Sequence, residues 1–308
     1  MKTETFSFTG AQGMMLPAKL WLPEESPRLL LQITHGMTEH MGRYTVLAEA
    51  LTAQGIAVAG FDLRGHGANP GDPDCASFGE NGWEYTLEDM YLFYQLMEQR
   101  FPELPHFMFG FSLGSFLLRE FLGRYDTNTA GAVIMGTGQQ PAAVLSIIMA
   151  IVKTQIKLAG FDSCTPLVRK LSFDTYNQKF APNRTDADWL CSDLAQLDAY
   201  LYDPLCRKNI SSGLFWQLLS SMRRTGRKKA YENWNSWLPI LLLSGKKDPV
   251  GDFQKGVIRV SKQMEEAGLG MPAVYLIPDA RHDLLHEEAN GQAPWAREIL
   301  VQWLLDQI

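Results

Sequence analysis

Apolar, strand-like segments alternate with helical patterns over much of this chain. "IAVAGFD" follows a helical pattern over residues 43–54, "HFMFGFS" follows one over 85–100, and "AGAVIMG" follows one over 113–125. This alternation predicts an α/β fold with a mostly parallel central sheet flanked by helices. Three closely spaced strand-like segments, "TFSFTG", "AKLWLP" and "LLLQITH", come first, so we expect an antiparallel start to the sheet.

The alternation is interrupted in the second half of the chain. It stops after Gly138 and resumes at "WLPILLLSG", and the residues between carry apolar side chains near helical spacing. We therefore predict a core domain of residues 1–138 and 237–308, with a helical cap of residues 139–236 inserted after the sixth strand. With 308 residues, 46% of them hydrophobic, the chain can bury a large core.

Charge and cysteine usage exclude several classes of protein. The net charge of −6 gives no general attraction to nucleic acid. Cys75, Cys164, Cys191 and Cys206 form no C-x-x-C pair, so the spacing suggests neither a zinc site nor a dense disulfide framework, and it favours a reducing compartment. The N-terminus lacks a signal-peptide pattern and no run reaches the roughly 18 apolar residues of a membrane span. We expect a cytoplasmic protein.

The segment "GFSLGS" places Ser112 between Gly110 and Gly114 at a predicted strand-to-helix turn. A serine on so sharp a turn needs small residues two positions before and after it. The carboxyl ends of parallel strands are also where open α/β sheets bind ligands. We interpret Ser112 as a nucleophile rather than as a structural turn residue.

A serine nucleophile needs a histidine base that a carboxylate holds in the right tautomer. His282 follows the last strand-like run and is favoured over His286, which falls in the helix that "DLLHEE" begins. Asp248 follows the preceding strand in "LLLSGKKDPV" and is the predicted acid. Asp279 and Asp283 lie too near His282 along the chain, and we expect them to be solvated or to cap a helix.

The oxyanion of a tetrahedral intermediate requires backbone N–H donors. One should be Leu113, the residue after the nucleophile. The other should come from the loop of "THGMTEHMGRY", where His35 and Gly36 form the turn and Met37 donates its N–H. Alternatively, His35 and Gly36 form an ordinary turn that has no role in an oxyanion hole.

Taken together, "HGMTEHMGRY", "FDLRGHG", "GFSLGS", "SGKKDPV" and "ARHDLLHE" resemble the α/β-hydrolase superfamily, and within it the monoacylglycerol lipase and lysophospholipase group of serine hydrolases. The resemblance runs from about Leu20 to the end of the chain. It implies an acyl-enzyme on the serine, no cofactor or metal, and an acyl ester as substrate, including lipid esters. One departure is "GHGANPGDP", which lacks a serine after GHG, and we expect His66 to be a buried structural residue.

Three other functions stay open at this stage. A capped aminopeptidase and an acyltransferase would use the same triad, and Asp186, Asp188 and Asp198 of the cap could bind a free amine. A non-catalytic binding protein is disfavoured, since binding alone does not require serine, acid and base at these spacings.

The apolar cap segment "AAVLSIIMAIV", residues 142–152, is too short to span a bilayer. It could line an acyl-chain pocket or give the cap a peripheral membrane contact, or it could be plain cap core.

Overall fold

An eight-stranded sheet lies at the centre of the computed structural model, which describes all 308 residues. The strands of the chain are β1 (Lys2–Thr9), β2 (Met15–Leu22), β3 (Leu29–Thr34), β4 (Ile56–Phe61), β5 (Cys75–Ala76), β6 (His106–Phe111), β7 (Thr129–Met135), β8 (Asn209–Ile210), β9 (Ile240–Gly245) and β10 (Ala273–Ile277). The α-helices are α1 (Thr45–Thr52), α2 (Gly82–Arg100), α3 (Leu113–Arg124), α4 (Ala142–Ala159), α5 (Pro166–Arg169), α6 (Thr175–Asn177), α7 (Leu194–Tyr202), α8 (Ser212–Thr225), α9 (Lys255–Glu266) and α10 (Gln292–Leu305). Short 3₁₀ or π turns cover Ala11–Gly13, Met41–Tyr44, Lys170–Asp174, Gln178–Phe180, Lys228–Tyr231 and Leu284–His286.

The large sheet has the strand order β1-β2-β4-β3-β6-β7-β9-β10. β1 pairs antiparallel with β2, and β2 pairs antiparallel with β4. All remaining pairs of this sheet are parallel. The predicted antiparallel start and mostly parallel continuation are therefore confirmed.

Both faces of the parallel strands are buried, as β3 illustrates. Leu29, Leu31 and Ile33 belong to one hydrophobic cluster, whereas Leu30 belongs to a second cluster on the opposite face. This alternation follows from the two-residue period of a strand. Helices must therefore cover both sides of the sheet, which explains why the strands read as continuous apolar runs.

Between β7 and β9 the chain leaves the large sheet, and this insertion contains α4 to α8 together with the short strand β8. Its helices share a core with the sheet, since Leu145 of α4 and Leu214 of α8 belong to the same cluster as Leu30. β8 forms a separate two-stranded parallel sheet with β5, which joins the insertion to the loop after β4. The insertion therefore packs directly on the rest of the fold.

Helix α4 is longer than the apolar run in the sequence. It has 18 residues with a mean hydropathy of 1.7, so by length and composition alone it could cross a membrane. The apolar run of the sequence ends at Val152, and the helix continues through Lys153 and Lys157 to Ala159. Leu145, Met149 and Val152 of α4 are buried in the large hydrophobic cluster, whereas most of its other side chains are exposed, so one side of the helix is cap core.

Cys75 and Cys164 form a disulfide, with their Cα atoms 6.1 Å apart. The bond links β5 to the segment after α4, while Cys191 and Cys206 are buried free thiols. The sequence did not indicate this pair, since 89 residues separate its members and only the tertiary fold brings them together. Structural disulfides are typical of oxidising environments, so the bond argues against the reducing compartment that the cysteine spacing favoured. The cytoplasmic location stays a prediction.

Candidate active site

Ser112 occupies the sharp turn between β6 and α3. Its backbone has φ 49° and ψ −114°, a conformation that is rare for any residue other than glycine. A Cβ on Gly110 would lie 2.4 Å from the carbonyl oxygen of Gly114, and a Cβ on Gly114 would lie 2.0 Å from that of Thr34. The two glycines are therefore a steric requirement of the turn that presents the serine.

The structure brings Ser112, His282 and Asp248 into one hydrogen-bonded chain. His282 Nε2 lies 2.8 Å from Ser112 Oγ, and His282 Nδ1 lies 2.9 Å from Asp248 Oδ1. The carboxylate is fully buried and also accepts from the Val250 N–H at 2.8 Å and the Ser244 hydroxyl at 3.2 Å. Held in this way, it accepts a hydrogen bond from the Nδ1–H of His282, which leaves the lone pair of Nε2 facing the serine hydroxyl.

The competing acids and the second histidine take no part in the hydrogen-bonded chain from Ser112 to Asp248. Asp279 is exposed and pairs with Lys247 at 2.8 Å. Asp283 contradicts the expectation of a solvated or capping residue: it is buried and bridges Arg43 and His286, the latter at 2.7 Å. Burial alone would raise the pKa of Asp283, but the charges of His286 and Arg43 hold that pKa well below its usual range.

The predicted oxyanion loop begins with a buried histidine and a glycine. His35 Nδ1 donates to the Gly36 carbonyl at 2.7 Å and its Nε2 accepts from the Leu63 N–H at 2.9 Å, which fixes a neutral ring. Burial lowers the pKa of His35, which also favours the neutral ring. A Cβ on Gly36 would lie 2.8 Å from Glu39 Oε1 and 2.9 Å from the Phe111 ring. Gly36 is therefore required by close packing against Glu39 and Phe111, which an ordinary turn would not impose.

Met37 and Leu113 lie beside Ser112 as the two candidate oxyanion donors. The N–H of Met37 makes no hydrogen bond within the protein. Leu113 is the first residue of α3, where an N–H has no acceptor in a preceding helical turn. An oxyanion donor needs an N–H that the fold does not already use, and both groups meet this requirement.

Asn69 stabilises the loop that follows GHG, where the sequence lacks the serine of the family pattern. Asn69 Nδ2 donates to the carbonyls of Asp62 at 2.8 Å, Leu63 at 3.0 Å and His66 at 3.2 Å. His66 is buried, as predicted, and donates through Nδ1 to the Arg64 carbonyl. Burial lowers the pKa of His66 to about 3, so the ring stays neutral.

An apolar cavity opens in front of Ser112, and 12 of its 18 lining residues are hydrophobic. Met37 and His282 line it from the core, and the insertion contributes Ser172, Phe173, Tyr176, Trp189, Leu190, Tyr200, Ile210, Phe215 and Leu218. Trp189 stacks on the imidazole of His282 with the ring centroids 5.2 Å apart. The sequence did not indicate Trp189, which lies in a turn, or Tyr200, which lies on α7, because an aromatic residue carries no local sign that it faces a distant site.

The sheet order and the strand-end positions of serine, acid and histidine define an α/β-hydrolase, and comparison with known proteins confirms the predicted fold. A carboxyl esterase structure from Bacillus coagulans superposes with a TM-score of 0.86 at 21% identity, covering 99% of each chain. Residues 25–289 match the family described as serine aminopeptidase, S33, and the chain belongs to that family.

Two characterised relatives are similar over most of this chain, which confirms the resemblance to monoacylglycerol lipases. The monoglyceride lipase of Rattus norvegicus is 25% identical over 289 residues, 90% of this chain and 86% of the relative. The monoacylglycerol lipase of Mycolicibacterium smegmatis is 25% identical over 266 residues, 83% of this chain and 84% of the relative.

Proposed function

We propose that this protein is a serine hydrolase of carboxylic esters, of the monoacylglycerol or lysophospholipid type. The observation that carries the proposal is the hydrogen-bonded chain from Ser112 through His282 to Asp248 at the wall of an apolar cavity. The names of the relatives, monoglyceride and monoacylglycerol lipases, support an ester as the substrate.

In the first half of the reaction, Ser112 Oγ forms a bond to the acyl carbon while its proton passes to His282 Nε2. The carbonyl oxygen becomes an oxyanion that the N–H groups of Met37 and Leu113 bind. The bond between the acyl carbon and the alcohol oxygen then breaks, and His282 returns the proton to that oxygen.

In the second half, water attacks the acyl-enzyme. His282 takes the proton of the water as its oxygen bonds to the acyl carbon, and the ester to Ser112 breaks with return of the proton to Oγ. Asp248 keeps the proton on Nδ1 throughout and stabilises the imidazolium that forms twice in each cycle.

The aminopeptidase alternative requires a free carboxylate in the cavity to bind an amine. Asp186 pairs with Arg169, Asp198 pairs with Arg184, and Asp188 accepts the backbone N–H of Arg184; none of the three acids lines the cavity. The acids that do line it, Glu39 and Asp283, are both bound to Arg43. These pairings favour a neutral ester over an aminoacyl substrate.

A substrate comparison tests this choice. We expect the purified protein to hydrolyse p-nitrophenyl esters and monoacylglycerols and to leave aminoacyl p-nitroanilides intact, because no unpaired carboxylate is available for the amine. The measurement is the release of p-nitrophenol, p-nitroaniline and fatty acid under one set of conditions. Turnover of the anilides alone would contradict the ester assignment, and acyl transfer to added glycerol in preference to water would favour the acyltransferase alternative.

We also propose that the cap meets lipid through helix α4. Val144, Ile147, Ile151 and Leu158 lie along one side of this helix and are 40%, 64%, 38% and 79% exposed. A stripe of exposed apolar residues on one helix is typical of surfaces that settle into a membrane interface. An enzyme of lipid esters would gain access to its substrate in this way.

Replacing both Ile147 and Leu158 with serine is expected to weaken binding to phosphatidylcholine vesicles by roughly tenfold or more, since each isoleucine or leucine that enters an apolar phase contributes about 1.5–3 kcal/mol. Vesicle sedimentation measures the bound fraction. Ile258→Ser, which changes an apolar residue that is 38% exposed on α9, outside the cap, is the control and should bind as the unchanged protein does. Equal binding by all three proteins would contradict the lipid contact.

A further inference from the structure

Thr38 follows the candidate oxyanion donor Met37 and has an unusual backbone conformation. Its φ is +63°, in the left-handed region, although its side chain is β-branched. Such a conformation is strained for a β-branched residue and persists only where the surroundings hold it in place. Thr38 is directly bonded to Met37 and its hydroxyl donates to the Met37 carbonyl, so whatever holds Thr38 also restrains the backbone that carries the Met37 N–H.

Two cap residues hold Thr38. The backbone N–H of Arg207 donates to the Thr38 carbonyl at 2.9 Å, and the hydroxyl of Tyr200 lies 2.7 Å from Thr38 Oγ1. Thr38 uses its own hydroxyl proton for the Met37 carbonyl at 2.6 Å, so Tyr200 must be the donor of the second bond. Burial raises the pKa of Tyr200, which keeps that proton on the phenol.

Tyr200 is itself fixed by contacts with the same loop. The guanidinium of Arg43 lies 4.9 Å from the centre of its ring. Just beyond the end of α7, Asp203 accepts a hydrogen bond at 2.8 Å from Nε2 of His40, whose Nδ1 accepts from the Gly42 N–H. Burial alone would raise the pKa of Asp203, but its bonds with His40 and the Leu205 N–H lower it, so the carboxylate remains a charged acceptor.

We propose that Tyr200 is a positioning residue for the oxyanion hole, through which the seated cap holds Thr38 and the N–H of Met37 in their reactive placement. The proposal rests on the proposed ester hydrolysis. Oxyanion donors act only within about 2.7–3.1 Å of the developing charge, so a small shift of the Met37 N–H lowers the rate of the chemical step. The hydroxyl of Tyr200, beside the N–H of Arg207, thereby couples the placement of the cap to the geometry of the oxyanion hole.

The test compares Tyr200→Phe with Tyr202→Phe, a control that removes the hydroxyl of an 84% exposed tyrosine from the same helix. Loss of one hydrogen bond should lower kcat of Tyr200→Phe about tenfold with KM nearly unchanged, and Tyr202→Phe should match the unchanged protein. Adding Tyr200→Phe to Thr38→Ala should cost nothing further, because both changes remove the same bond. A raised KM with unchanged kcat would overturn the proposal, since it would place the hydroxyl on the substrate.

A second measurement does not depend on turnover. Amide hydrogen exchange of the peptide covering residues 35–41, followed by mass spectrometry on the full chain, should become faster in Tyr200→Phe and stay unchanged in Tyr202→Phe. Unchanged exchange in Tyr200→Phe would overturn the proposal. This readout distinguishes it from the proposed function, which fails instead if the unchanged protein neither hydrolyses esters nor reacts with a fluorophosphonate at Ser112.

Discussion

Replacing Ser112 with alanine is expected to lower kcat for ester hydrolysis by roughly a million-fold, the magnitude seen when a serine hydrolase loses its nucleophile. No other hydroxyl can take its place, because His282 Nε2 has Ser112 Oγ as its hydrogen-bond partner at 2.8 Å. The measurement is the steady-state rate with a p-nitrophenyl ester. Labelling by a fluorophosphonate should disappear in the same protein.

Ser146→Ala is the matched control, since this serine is exposed on α4 and bonds only to the Ala142 carbonyl of its own helix. It should retain full turnover and full labelling. An alanine variant at Ser112 that still hydrolyses esters at the normal rate would contradict the nucleophile assignment. Labelling of a serine other than Ser112 would do the same.

The parts of the site that could be predicted are those with a local steric cause. The turn at Ser112 requires Gly110 and Gly114 within five residues of sequence, because any side chain there would overlap the backbone of Gly114 or Thr34. Asp248 and His282 could be predicted because parallel strands bring their carboxyl ends to one edge of a sheet. Chain order and strand ends together were enough to select them.

The parts that could not be predicted depend on how the cap packs. Trp189 stacks on His282 and Tyr200 bonds to Thr38, yet each lies more than 90 residues from its partner along the chain. The expectation that Asp283 is solvated or caps a helix is wrong for a related reason. Its buried carboxylate is stabilised by the ion pair with Arg43, which lies 240 residues away along the chain. Sequence patterns indicate which positions of a helix or loop face solvent. They do not show which charged residue from a distant part of the chain packs against those positions.

Replacing Asp248 with asparagine is expected to lower kcat by about 10⁴-fold while leaving the fold intact. The carboxylate makes a 2.9 Å hydrogen bond to Nδ1 of His282, and its oxygens also accept from Ser244 and Val250. An amide at this position can donate to Nδ1, which would favour the tautomer that carries its proton on Nε2 and therefore cannot act as base toward the serine. Steady-state kinetics with a p-nitrophenyl ester measure the loss, and circular dichroism monitors the fold.

Asp279→Asn provides the comparison, because Asp279 lies three residues before His282 but is exposed and pairs only with Lys247. Its removal breaks a solvent-exposed surface ion pair, which contributes little to stability, and kcat should be unchanged. A large loss in Asp279→Asn together with normal turnover in Asp248→Asn would reassign the acid. The buried geometry around Asp248 requires the opposite result, since only a carboxylate fixed by several donors can keep the imidazole in one tautomer through both halves of the reaction.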